Sequence, residues 1–273
     1  MLRILFFIVC ALLCSINVAV AADARPIDEA IIAFLDQKDV VFDEPITSTK
    51  TEEATVKLIQ ETSEALFTFD TDRLLNALTT AKQAAITDDK DWEQTVHFAE
   101  NLYDIIANSD QVTRKENLIQ FLDGLSAEDD WFLSSVSKSL SAFLYMSRNQ
   151  LLVGTERVNS AMKIIPSELS PKVTSARILA SDIAMVLHGL QGKPGFMLDA
   201  AKLQRQAKAS IGETIDRYEL LTNFVYSLNR ARDYKSAATI AELLILEPRP
   251  DTAVPGVSEA YMAATFNEIG DYA

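Results

Sequence analysis

The sequence predicts an all-α protein. Three observations carry this. Gly and Pro are scarce, at 8 each in 273 residues, whereas sandwiches and barrels use both freely in turns. Apolar residues recur at helical spacing, and each break holds Gly, Pro, Asp, Asn or Ser. No stretch alternates apolar and polar residues for long enough to make a strand. Hydrophobic residues make up 48% of the chain, which supplies a real core without staples.

The N-terminus has the layout of an export signal. Arg3 supplies a short positive segment, and Ile4 to Val20 is apolar apart from Ser15 and Asn17. Ala19-Val20-Ala21 then precedes the polar Asp23. This is the order of charge, apolar run and small-residue site that export requires. Cleavage is expected after Ala21, with Ala22 next. A retained anchor is the alternative, but a span needs about 20 apolar residues and this run is shorter. A lipoprotein reading at Cys10 or Cys14 suffers because Val9 and Leu13, not small residues, precede them. Both cysteines lie in the signal, so the mature chain holds none and relies on core burial alone.

The helices follow in order. Pro26 to Gln37 is a short helix with Pro26 at its start. Asp39 to Thr49 is a loop or short extended piece. Thr51 to Phe67 returns to helical spacing. Asp70-Thr71-Asp72 offers an N-cap for a helix over Arg73 to Ile86, and Asp88 to Asp91 does the same for Trp92 to Ala107. Further helices are expected over Arg114 to Leu125, Ala127 to Ser147, Gln150 to Ile165 and Pro171 to Leu190. The last four are Gly195 to Ile211, Ile215 to Arg232, Tyr234 to Leu246 and Gly256 to Ile269. Short connections favour antiparallel neighbours.

The pairs repeat imperfectly from Ser135 onward. Arg232-Asp233-Tyr234 is followed by Ala237 and Ala241, and Gly270-Asp271-Tyr272 is preceded by Ala263 and Phe266. Ala142, Tyr145, Leu151, Gly154, Val158, Ala161 and Pro166 mark an earlier unit. Leu187, Met197, Ala200 and Ala207 mark another, with His188 where a small residue is wanted. This pattern resembles the tetratricopeptide repeat (TPR), a helix-turn-helix unit of about 34 residues. The resemblance covers about half the chain. The unit starts, near Ser135, Ser181, Tyr218 and Gly256, are spaced more widely and less evenly than that. The small residues have a physical purpose, because helix axes approach to about 8 Å only where side chains are short.

The expected architecture is therefore all-α: antiparallel helix pairs stacked as a TPR-like right-handed solenoid. The expected organisation is a signal peptide over 1–21, an N-terminal helical region over 22–134, and degenerate TPR-like repeats over 135–273. The last unit stops where a second helix would begin, which suggests a C-terminal truncation. The resemblance implies a concave groove lined by first helices. Phe143, Met146, Tyr226, Asn229, Arg230 and Asn267 would point into it, and Asn and Arg there suit a peptide backbone or carboxylate.

Little else in the sequence points to chemistry. The net charge is −14 with no basic cluster, which argues against nucleic acid. His97 and His188 lack metal-ligand spacing, and His97 beside Val96 and Phe98 is expected to be packed or half-buried. Nucleophile-elbow, P-loop and dinucleotide motifs are absent. Asp70/Asp72 and Asp129/Asp130 precede helices, where capping explains them better than acid–base work. Trp92, Trp131, Phe143 and Phe224 are expected in the core. No catalytic residue, metal or cofactor is expected.

The primary expectation is an exported, periplasmic, non-catalytic module that binds a protein or peptide. The alternative is a sensory input region. In that case the chain resembles the exported N-terminal regions of membrane-bound signalling proteins such as GGDEF diguanylate cyclases and some histidine kinases. A C-terminal segment would then supply an inner-membrane tether and an output domain. A helical accessory region of a murein-cleaving enzyme ranks third.

Overall fold

The computed structural model describes residues 26–37, 46, 48–84, 86, 89–110, 113–125, 130–251 and 253–270. The expected signal over 1–21, most of the 39–49 connection, Asp129 and Tyr272 lie outside these residues. Among the described residues the chain forms twelve α-helices and no strand. They are α1 (Ile27–Leu35), α2 (Lys50–Thr68), α3 (Thr71–Gln83), α4 (Lys90–Asn108), α5 (Arg114–Gly124) and α6 (Trp131–Ser147). Then come α7 (Leu151–Ile164), α8 (Pro171–Leu190), α9 (Pro194–Ala209), α10 (Arg217–Ala231), α11 (Tyr234–Leu246) and α12 (Val257–Ile269).

Acidic and hydroxyl side chains start many of these helices. The carboxylates of Asp70, Asp89, Asp130, Asp216 and Asp233 each accept from a backbone N–H in the first turn. Thr49 and Glu52 form a reciprocal capping box at α2. Asp70 and Asp130 are thus caps, as their position before a helix suggests.

The helices group into two compact units. One is Asp43–Ala180. The other is Ser181–Ala273 together with α1. The division falls inside α8. Ser135, the expected start of the repeats, lies within α6 in the first unit. Helix α8 is long and apolar enough to cross a membrane by composition, but 78% of its apolar window is buried within the protein. That is the pattern of a core helix.

In the first unit, α2, α3 and α4 pack on one another, and α4–α5, α5–α6 and α6–α7 pack in succession. Leu66, Leu74, Leu102, Leu118, Phe132 and Leu140 are fully buried. The Phe67 and Phe143 rings meet at 4.6 Å. Helix α6 is buried along most of its length, yet carries Ser134, Ser135, Ser137, Ser139 and Ser141 in the interior. Ser135, Ser137, Ser139 and Ser141 donate to carbonyls three or four residues back, at 2.7–3.2 Å. Their polarity is met within the helix, and their small size admits close neighbours.

In the second unit, α10 packs on α9, α11 and α12, α11 packs on α12, and α1 packs on both α9 and α11. Turn geometry is exacting where α8 meets α9. Gly192 has φ +64°, and a Cβ there would lie 2.8 Å from backbone atoms of Arg230 and Ala231. Only glycine fits. Ala237 and Ala241 have no exposure, so α11 meets its neighbours along a stripe of small side chains.

Candidate functional site

Each expected groove residue now has a place. Phe143 and Met146 sit in the interior of the first unit, at 1% and 3% exposure. Their apolar side chains pack in the core, Phe143 against Phe67, and they offer almost no surface to solvent. Tyr226, Asn229 and Arg230 lie on successive turns of α10. Tyr226 is buried with its ring 5.0 Å from Tyr261 on α12. The Asn229 side chain donates to the Tyr261 carbonyl at 3.1 Å and accepts from the Thr265 hydroxyl at 3.0 Å. It clamps α10 to α12. Arg230 is half-buried, and Asn267 on α12 is exposed. The structure therefore brings Tyr226, Asn229, Arg230 and Asn267 onto one helix pair. Phe143 and Met146 belong to the other unit.

The α10–α12 seam is polar along its length. The Tyr218 hydroxyl lies 2.6 Å from that of Ser258. Glu259 is held below the usual carboxylate range by its own backbone N–H, then by Ser258 and by Arg249, which pairs with it at 2.8 Å. These bonds orient the outer face of the pair that carries Asn267.

The first unit contains a cleft of about 360 Å³ between α4, α5 and the start of α6. Phe98 and Phe121 stack at 6.0 Å on its apolar side. Gln94, Asn101 and His97 line it from α4, and Asp130 and Ser134 line it from α6. His97 is a correction. Its side chain is 77% exposed, because its helical phase points away from Phe98, which is buried. Asp130 uses one carboxylate oxygen to cap α6 at 2.7 Å, and its other oxygen has no hydrogen-bond partner among the described residues.

Below this cleft α6 carries a linked polar stripe. Lys138 donates to the Ser134 hydroxyl at 2.8 Å. Burial, and then Arg157, holds the Lys138 ammonium below its ordinary pKa, while Asp123 pulls the other way. Tyr145 donates to Asp123 at 2.8 Å, and Arg157 donates to the same oxygen at 2.7 Å. Burial and Asp123 raise the Tyr145 phenol. The group ties α5, α6 and α7 together. No spacing signal in the sequence joins Asp123 to Arg157, because the link exists only once three helices pack.

The aromatic expectation holds for Trp92, Phe143 and Phe224, which are buried, and Trp131 is half-buried. Among the described residues, no three His, Cys, Asp or Glu side chains are grouped to hold a metal ion. No protein-family model, curated protein or solved structure matches the chain.

Proposed function

We propose that the chain is an exported helical-repeat interaction module that binds a protein or peptide and does no chemistry itself. In this reading antiparallel helix pairs stack as a TPR-like right-handed solenoid. The observation that carries it is the burial of small residues at repeat positions. Ala142, Gly154, Val158 and Ala161 are buried in the α6–α7 pair, and Ala237 and Ala241 in the α10–α11 pair. Between α10 and α11 the turn has the order the repeat wants. Arg232 takes a left-handed conformation, Asp233 caps, and Tyr234 opens the second helix. Each pair then presents a face that only a neighbour or a partner covers.

Exposed Asn267 and half-buried Arg230 mark the surface offered. A photo-crosslinking residue placed at Asn267 in cells is expected to give one adduct of defined mass. The same residue at exposed Gln60, in the other unit, serves as the control. Equal adducts at both positions, or none at either, refute this surface. Export is tested by N-terminal sequencing of the mature chain, which is expected to begin at Ala22. A chain that keeps Met1 and stays in the cytoplasm refutes the compartment.

A further inference from the structure

Helix α1 is nine residues long, shorter than the roughly 12–15 residues an isolated helix needs in water. Its helical form depends on what holds it. Ile31, Phe34 and Leu35 fall on one face and are buried at 0%, 2% and 5% exposure, against α9 and α11. Its last carbonyls are gripped by two arginines. Arg205 donates to the Phe34 carbonyl and lies 4.6 Å over the Phe34 ring. Arg217 donates to the Leu35 carbonyl at 3.0 Å and faces Asp36 at 3.9 Å. Glu247 holds Arg217 in place at 2.9 Å.

This arrangement recognises general features of a helix. It accepts an apolar stripe at i, i+3 and i+4, which is the footprint of an amphipathic helix in a groove. It places two cations where a helix has free carbonyls and negative dipole charge. The main bonds go to backbone oxygens, which every helix C-terminus offers. The cation–π contact with Phe34 and the acidic Asp36 add sequence preference. Nothing near α1 in the sequence supplies this seat, which comes from helices more than 150 residues further along the chain.

We propose that this seat on α9, α11 and the head of α10 binds a short amphipathic helix of a partner protein, and that α1 is the chain's own occupant, displaced when the partner docks. The favoured partner helix carries an aromatic residue in its last turn and an acidic residue just beyond it. The proposal rests on the interaction-module reading and names the partner's chemistry.

The test uses the full chain and a fluorescent synthetic peptide spanning residues 26–37. Tethered α1 competes at high effective concentration, so the wild-type chain is expected to bind the peptide weakly. Ile31→Asp in the chain unseats its own α1 and is expected to raise peptide affinity roughly tenfold or more. Adding Arg217→Ala is expected to reverse most of that gain, as is a peptide carrying Phe34→Ala. A folded Ile31→Asp chain that binds no better than wild type overturns the proposal. Should Ile31→Asp unfold the chain, hydrogen exchange in the wild type decides. Faster exchange of α1 amides than of α9 and α11 amides supports a detachable occupant, and equal protection overturns it. A wild-type dimer that exchanges α1 between copies assigns the seat to a second copy and overturns the partner reading. Failure of peptide exchange with a positive Asn267 crosslink leaves the module reading intact and removes only this seat.

Discussion

Removing one carboxyl from α8 is expected to uncover a pH dependence that the intact protein hides. Asp182 and His188 lie on the same helix with opposite shifts. Burial pushes the Asp182 carboxyl up from 3.8 to about 7, although Lys208 and a bond from Gln204 oppose this and Glu219 reinforces it. Burial pushes His188 down from 6.5 to about 4, helped by Lys193 and opposed by Asp199. Its ring stacks on Phe196 at 5.3 Å, and its Nδ1 has no hydrogen-bond partner among the described residues. At roughly 1.4 kcal/mol per tenfold change in the equilibrium, Asp182 costs the folded state up to about 4 kcal/mol above pH 7. This is an upper limit, because the side chain keeps some contact with solvent. His188 costs about 3 kcal/mol below pH 4 by the same conversion.

The signs oppose. Asp182 has a raised pKa in the folded state, so its contribution is complete at low pH and is lost as pH rises from 3.8 to 7. His188 has a lowered pKa, so its contribution is complete above 6.5 and is lost as pH falls toward 4. Between pH 4 and 6.5 the two slopes cancel, and the second unit is expected to show nearly constant stability. Asp182→Asn keeps an acceptor for Gln204 and removes one slope. Stability should then rise by about 1.4 kcal/mol per pH unit across that window. His188→Leu leaves the other slope and should make stability fall with pH. Native-state hydrogen exchange of α9 and α10 amides reads the local opening free energy directly. A curve for Asp182→Asn as flat as that of the wild type would refute the burial argument.

Three further outcomes are expected. Gly192→Ala forces a Cβ into the backbone of Arg230 and Ala231 at a left-handed φ, and should lower stability by about 1–3 kcal/mol, seen as a lower denaturant midpoint. Asn229→Ala removes both bonds to α12 and should cost about 1–3 kcal/mol, read as faster hydrogen exchange confined to α12. Ala241→Leu overfills the small-residue stripe of α11 and should cost about 1–3 kcal/mol, whereas leucine at exposed Ala263 should be nearly neutral in the same unfolding assay.

Much of the local structure was legible. The bounds of α8 and α11 coincide with the expected ones, and the other helices agree within a few residues where they are described. Helical periodicity, Asp caps and Gly or Pro breaks act over one or two turns, so they are written in neighbouring residues. The site was less legible. Phe143 and Met146 show the same apolar spacing whether they face a groove or a core, and the packing of α2 against α6 decided for the core. Asn229 could serve a ligand or a neighbour, and α12 claims it. His97 sits between Val96 and Phe98, yet its helical phase turns it outward.

By itself the sequence determined the all-α class, the position of most helices and the acids that start them, because each depends on short-range propensity and spacing. Only the tertiary structure decided that α1 belongs with the last helices and that two arginines hold its end. It alone joined Asp123 to Arg157 and drew Asp182 and His188 largely out of water. These are contacts between residues far apart in the chain or effects of burial, and local sequence carries no record of which surface a helix will meet.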